Sequence, residues 1–440
     1  MASEGAASAA TIGAAGQGRL SWREWRVIIL ASLGGALEYY DFVVYGIFAK
    51  YIAAAFFPSN DPLVSLMLSF AVFAVGYVAR PLGGIILAHF GDKYGRRRVF
   101  IASILLMSAS TFGMGLLPTA ATWGVAASML MILLRLTQGF CLGGELPGAI
   151  TYVVETAPKR AGLACGVIFV CVNSGVMLAA LLSLIVHETM SAEDVANWGW
   201  RIAFLIGGAL GLISFWLRLS LEESPEFEAM RHTAAKQPLG ELVRSHPGPI
   251  FVGIAIVASM AGFNGLLFAH LPAYLTTVLK YGSVEAMTAQ NVCLAVISVG
   301  NLFWAWLGDK IPRRYLLMAG SALVALLAAP FYHAAAERTV GLIPLVVIAG
   351  VIGSLFLGTF AAILADLYPT RIRFSGVAVS MNLGVTIFSG AAPLAATWLI
   401  SATGSPAGPG YFMTFAALIG VAGSLFLKRY DGQIRVRGGD

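Results

Sequence analysis

Apolar runs long enough to cross a lipid bilayer recur along this chain and leave it little choice of fold. A helix needs about 20 such residues to span the hydrocarbon. Twelve runs qualify, at about residues 25–50, 64–90, 99–118, 123–150, 162–187, 200–220, 249–280, 286–307, 315–333, 341–366, 374–400 and 408–428. Pro and Gly inside them do not forbid helices, because neighbouring helices satisfy the freed backbone groups. The runs are continuous and do not alternate, which excludes a β-barrel. Composition agrees: 11% of the 440 residues are charged, against roughly 25% in a soluble domain. The chain reads as an all-α membrane protein seated in a lipid bilayer. Its cysteines (Cys141, Cys165, Cys171, Cys293) fall in apolar runs without metal-ligand spacing and read as buried free thiols.

Basic residues set the expected orientation. With the N-terminus inside, 22 of the 28 Lys and Arg fall on the cytoplasmic side. The outer side holds Lys50, Arg201, Lys280 and Arg338, and the spans hold Arg80 and Arg135. This is the positive-inside pattern. It assigns the net charge of +6 to the membrane surface, so no nucleic-acid partner is implied. Residues 1–20, rich in Ala, Gly and Ser, lack the apolar core of a signal peptide. The expected layout is a disordered cytoplasmic tail at 1–24, a six-helix half at 25–220, a cytoplasmic loop at 221–248, a second half at 249–428 and a cytoplasmic tail at 429–440.

An internal repeat supports the two halves. GDKYGRRR at 91–98 reappears as GDKIPRR at 308–314. Glu155, Pro158 and Arg160 match Asp366, Pro369 and Arg371 at identical spacing. Repeats of this kind place a binding site near the midplane, where the halves meet.

GDKYGRRR resembles the loop signature of the major facilitator superfamily. "LEYYDFVVYG", "ARPLGG", "RLTQGFCLGGE", "NWGWRIAFLIG", "LEESPEF" and "YPTRIRFSG" together are similar to its metabolite:proton symporter family. That family includes citrate, α-ketoglutarate, shikimate and proline/betaine carriers. "YIAAAFFPS" with "LMLSFAVFAVGY" looks most like the citrate and tricarballylate branch. The resemblance implies a major facilitator fold of 12 transmembrane helices in two pseudo-symmetric six-helix halves. It implies a monomer in the bacterial inner membrane, with both termini cytoplasmic and the proton, rather than a cofactor or metal, as the coupling ion. The expected activity is proton-driven import of a small organic acid, with a di- or tricarboxylate such as citrate favoured. A zwitterion (proline or betaine) or another monocarboxylate is the alternative, and a proton/drug antiporter a more distant one. About a dozen residues follow the last span, so the C-terminal coiled coil of some osmosensing members is not expected, which weighs against proline and betaine. No H-E-x-x-H, P-loop or G-x-S-x-G pattern points to an enzyme.

Two acids carry the functional reading. Glu38 and Asp41, at i and i+3, share one face of the first span. Each charge at that depth costs roughly 2.5–3.5 kcal/mol on insertion scales, so a function is the default reading. A carboxylate in low dielectric with a movable partner can take up and release a proton during a cycle. Arg80 and Arg135 also fall near mid-depth, where guanidinium forks match a carboxylate. They serve either a substrate or an ion pair with the span-one acids or Glu145. Three acids against two arginines leave one carboxylate in surplus. Tyr39, Tyr45, Gln138, Asn173, Asn264, His270, Asn301, Trp304 and Asn382 are further candidates for the substrate pocket, each equally readable as interhelical glue. Gly91, Asp92, Gly95, Arg96 and Arg97 imply, through the resemblance, a conformational latch, joined by Glu145, Glu155, Asp309, Arg313, Asp366 and Arg371. Asp92 is expected to cap the next helix. Pro312 replaces the second glycine of the repeat, so a weaker C-terminal latch is expected. Gly35 stands where family members often carry Asn, which puts one polar substrate contact in doubt.

Overall fold

The computed structural model describes residues 20–60, 62–223, 228 and 238–430. Most of the expected terminal tails and much of the expected central loop lie outside them, while residues 22–24 of the expected N-terminal tail are helical. Among the described residues there is no strand, and eleven helices are long and apolar enough to cross a membrane. The helix Pro62–Tyr94, of 33 residues, adds the twelfth.

In chain order the spanning helices are α1 Trp22–Ile47, α2 Pro62–Tyr94, α3 Arg96–Leu116, α4 Val125–Thr156, α5 Ala161–Thr189 and α6 Trp200–Arg218. The second set is α7 Pro247–Asn264, α8 Ser283–Gly308, α9 Arg313–Glu337, α10 Leu342–Leu357, α11 Arg373–Gly384 and α12 Gly408–Phe426. Three of these continue past a break. α7 runs on through a π-turn at Gly265–His270, α10 through Phe360–Asp366, and α11 through a π-turn at Val385–Ser389 into Ala392–Thr403. Such π-turns leave helical carbonyls without their usual partners and recur at functional sites.

Helix pairing repeats between the two sets. α1 packs on α5, α2 on α4 and α3 on α6; six helices on, α7 packs on α11, α8 on α10 and α9 on α12. The sets meet through α2 with α11 and α5 with α8, contacts that exchange under the same relation. The sequence repeat is thus a structural repeat.

Small residues make these contacts close. A Cβ on Gly139 would lie 2.1 Å from the Gly76 carbonyl oxygen, and one on Gly143 2.0 Å from that of Arg80. α4 and α2 therefore touch backbone to backbone, as small-residue spacing allows. Gly95 turns α2 into α3 with φ 112°, a left-handed conformation that favours glycine. Pro312 has φ −59° and takes the second loop by a different turn.

Candidate functional site

Glu38 and Asp41 leave α1 toward different neighbours. Glu38 is fully buried and faces α2, where Arg80 Nη2 lies 3.6 Å from Oε1. Neither Glu38 oxygen has a hydrogen-bond partner. The pair is in ionic contact without the fork geometry that would lock it. The Tyr39 hydroxyl is within hydrogen-bond reach of the Arg80 guanidinium.

Asp41 instead faces α3 and α6. Its Oδ2 accepts a hydrogen bond from Thr111 Oγ1 at 2.5 Å, while Oδ1 has no hydrogen-bond partner and lies against Gly207, where a Cβ would come within 2.6 Å of it. Thr111 accepts from Gln138 Nε2 at 2.6 Å, and Gln138 Oε1 accepts from Arg135 Nη1 at 2.9 Å. The guanidinium of Arg135 sits 4.6 Å above the Tyr45 ring, a cation–π contact. Glu38, Asp41, Arg135 and Gln138 line one small cavity with Gly76 and Met107, sized for about one water molecule. Its lining comes entirely from α1 to α4.

Glu145 departs from its expected places. Among the described residues it pairs neither with Arg80 nor with Arg135, and its hydrogen bonds stay within its own half. Arg218 Nη1, at the end of α6, lies 2.5 Å from its Oε1, and Ser103 donates to Oε2 at 2.8 Å. Arg218 also donates to the Leu30 and Ala31 carbonyls of α1 and covers the Phe100 ring at 3.8 Å. Gly34 makes room, since a Cβ there would fall 1.9 Å from Arg218 Nη2. Arg218 read as a loop residue because it closes an apolar run; folded, it is fully buried. The count inside the spans is therefore three acids against three arginines, with no surplus carboxylate.

At the face carrying the basic loops, the halves are joined by charged groups. Asp92 does not cap α3. It accepts from Ser375 N at 2.8 Å and Phe374 N at 3.3 Å, capping α11 of the other half. The α3 N-terminus is capped by Glu223, which accepts from the backbone of Arg96 and Arg97. Asp309 mirrors Asp92, accepting from Gly162 N at 2.8 Å and Leu163 N at 3.0 Å at the start of α5. The second contact thus keeps two backbone bonds alongside Pro312. Arg96 bonds Glu155 within its own half and the Thr370 carbonyl across the interface. Arg313 bonds Asp309 and Asp366 in the mirrored place. Arg373 breaks the symmetry: it reaches across to Glu155 at 3.2 Å, and its counterpart by the repeat is Gly162. Gly91 lets the Phe374 ring approach, since a Cβ there would lie 2.3 Å from it. Two expected members stay out of the interface. Arg97 bonds the Leu219 and Leu221 carbonyls of its own half, and Arg371 pairs with Glu241 at the surface.

The remaining candidates scatter. Asn173 donates to Ser298 at 2.8 Å and Asn382 to the Gly143 carbonyl at 2.8 Å, so both join the halves. Tyr45 donates to the Ser69 carbonyl, tying α1 to α2. Asn264 contacts Met260 Sδ, His270 stacks on Tyr274, and Trp304 packs on Phe303. Asn301 is buried, with no hydrogen-bond partner for its Oδ1 among the described residues. Gly35 faces Val172, Ile168 and Leu146, an apolar surface. Sequence reading missed Thr111, Arg218, Glu223 and Arg373. Arg373 and Glu223 carried a usable signal, as the second arginine of YPTRIRFSG and the second glutamate of LEESPEF.

These features define a twelve-helix carrier with an ionic site inside its first half. The Major Facilitator Superfamily model matches residues 31–380, and the chain belongs to that superfamily of membrane transporters. It is 33% identical over 424 residues to the proline/betaine transporter of Salmonella typhimurium, covering 92% of this chain and 83% of that one. It is 32% identical over 421 residues to the glycine betaine/proline/ectoine/pipecolic acid transporter OusA of Dickeya dadantii, with 92% and 83% covered. Among solved structures, the proton:xylose symporter XylE bound to 6-bromo-6-deoxy-D-glucose superposes with a TM-score of 0.77 at 16% identity, covering 92% of this chain and 95% of that one. The protein is thus a multi-pass transporter of this superfamily, similar across most of its length to proline/betaine carriers.

Proposed function

We propose that this protein is a proton-coupled symporter of a small carboxylate-bearing zwitterion of the proline or betaine kind, importing it across a bacterial inner membrane. The carrying observation is the charge balance inside the spans. Glu38 and Asp41 stand with Arg80 and Arg135 in the first half, Glu145 is held by Arg218, and the spans of the second half carry no Asp, Glu, Lys or Arg away from their ends. A tricarboxylate would bring three negative charges to two arginines that already stand near acids. Unpaired charge in low dielectric costs several kcal/mol, so a net-neutral solute suits the site better. The relatives' names support the same choice and displace the citrate preference.

In this reading an arginine, Arg80 or Arg135, takes the substrate's carboxylate, and Glu38 or Asp41 takes the proton. The basic loops and both termini are cytoplasmic, and the bonds at the basic face hold a state closed to the cytoplasm. The carrier works as a monomer.

The test is internal acidification of proteoliposomes given glycine betaine, L-proline, citrate, tricarballylate, succinate, α-ketoglutarate or shikimate singly. Acidification with betaine or proline, lost in either Glu38→Gln or Asp41→Asn, is expected. Acidification by citrate alone would overturn the substrate class. Accumulation left intact by both variants would overturn the proton site.

A further inference from the structure

Thr111 lies in the C-terminal half of α3, in a span with no charged residue beyond Arg98, and is fully buried. Its hydroxyl has one proton and two acceptors within reach: Asp41 Oδ2 at 2.5 Å and the Met107 carbonyl at 3.1 Å. It also has two lone pairs, one already facing the Gln138 amide at 2.6 Å.

The two charge states of Asp41 call for different settings of this hydroxyl. An ionised Asp41 only accepts, so Thr111 donates to it, at a length typical of O–H···O⁻. Every donor then points the same way, from Arg135 to Gln138 to Thr111 to Asp41, and such aligned chains strengthen one another. A protonated Asp41 has a proton to place, and the hydroxyl beside Oδ2 can accept it. Thr111 then accepts twice and turns its own proton to the Met107 carbonyl, the i−4 bond open to a helical threonine. The last link reverses, and Gln138 holds Arg135 less firmly.

We propose that Thr111 is the positioning residue that couples the charge state of Asp41 to Arg135: proton binding loosens Arg135 and frees it for the substrate's carboxylate. This rests on the symporter reading and gives it an order, proton before substrate. The other groups facing Asp41 leave the assignment intact. Arg135 comes from α4, and Glu38 and Tyr40 come from its own helix, with the Tyr40 hydroxyl donating to the Ala203 carbonyl, while among the described residues α3 presents Thr111 and α6 presents Gly207. On α2, Arg80 is engaged with Glu38. The stretch of α5 packed on the neighbouring turn of α1, at Gly35 and Ala36, carries one ionisable side chain, Cys171.

The experiment needs no substrate. Infrared pH-difference spectra of the purified full-length protein report a protonated-carboxyl band, and Asp41→Asn identifies the component that belongs to Asp41. Thr111→Val removes the donor that favours the ionised form, so the midpoint of this component moves to higher pH by about one unit, the tenfold change in proton affinity expected for losing one hydrogen bond to a charged group. Thr111→Ser keeps the hydroxyl and the wild-type midpoint. If the valine does not fold, Thr111→Ala removes the same hydroxyl with a good helix former. A wild-type midpoint without the hydroxyl, or an equal shift in Thr111→Ser, overturns the proposal. A wild-type protein that is not acidified by betaine or proline overturns the symporter reading instead, and the infrared result does not depend on it.

Discussion

Replacing Asp92 by Asn tests whether the charged contacts at the basic face hold the two halves together. The carboxylate accepts from Ser375 N at 2.8 Å and Phe374 N at 3.3 Å, at the start of a helix in the other half. Its contact with Arg96 lies within one half and survives separation, so it cancels from the closed–open difference. Asn keeps one acceptor oxygen, so at best one of the two bonds remains and it loses its charge. Hydrogen bonds to charged groups contribute about 1.5–3 kcal/mol and neutral ones about 0.5–1.5. A negative charge at a helix N-terminus adds roughly 0.3–1 kcal/mol. The closed state should lose about 2 kcal/mol, which is roughly 30-fold in the equilibrium.

Ala88 supplies the reporter. It is fully buried, packed with Val99 against Phe374 and Ala378 of α11, so a cysteine there is covered only while the halves meet. In protein lacking the four native cysteines, the rate at which Ala88→Cys reacts with a maleimide measures the open fraction. Asp92→Asn should raise that rate roughly 30-fold where opening is a fast pre-equilibrium. Asp309→Asn should act in the same direction, since Asp309 accepts from two backbone amides in the mirrored place. A rate within about twofold of the parent would refute the reasoning, because the equilibrium would then have moved by less than about 0.5 kcal/mol.

Two further substitutions separate structural from functional charge. Arg218→Met strands Glu145 in the interior and should cost about 3–5 kcal/mol in thermal unfolding, most of it regained in Arg218→Met with Glu145→Leu, as when a buried pair is replaced whole; a double variant no better than the single would refute the pairing. Tyr45→Phe keeps the ring beneath Arg135 and should leave betaine-driven acidification near wild type, whereas Tyr45→Leu removes a cation–π contact of about 0.5–2 kcal/mol and should weaken it several-fold; equal effects would place the role in the hydroxyl bonded to Ser69.

The twelve spans and the halves were legible because a bilayer demands long apolar runs and because the repeat survives in GDKYGRRR and GDKIPRR. The buried acids and arginines were legible for the same reason: charge inside such a run has few bland explanations. Their partners were not. Helical period put Glu38 and Asp41 on one face, yet one turns to Arg80 on α2 and the other to Thr111 on α3. A threonine in a span carries no signal, since its hydroxyl can always bond its own helix. Asp92 was expected to cap the helix that follows it in sequence. The halves' packing gave it α11, 282 residues away, and left the α3 cap to Glu223. Arg218 was misplaced because a residue that ends an apolar run reads as loop.

The ionic contacts are sorted by depth, and the sorting follows from what alternating access requires. Rocking the halves breaks whatever joins them in every cycle. An ion pair broken in low dielectric leaves two unpaired charges at several kcal/mol each, whereas one that opening exposes to water has its charges solvated as it breaks. Glu38–Arg80, the Asp41 to Arg135 chain and Glu145–Arg218 all lie within one half, so rocking need not break them. The charged contacts that do cross, Asp92 to α11, Asp309 to α5, Glu155 to Arg373 and Arg96 to the Thr370 carbonyl, lie at the basic face, where opening admits solvent. Within the spans the crossing bonds are neutral: Asn173 to Ser298 and Asn382 to the Gly143 carbonyl, each contributing about 1 kcal/mol. Bonds of that size hold a closed state without trapping it. In the proposed symport cycle, the ionic interior answers to a proton and a substrate while the interface it drives opens readily.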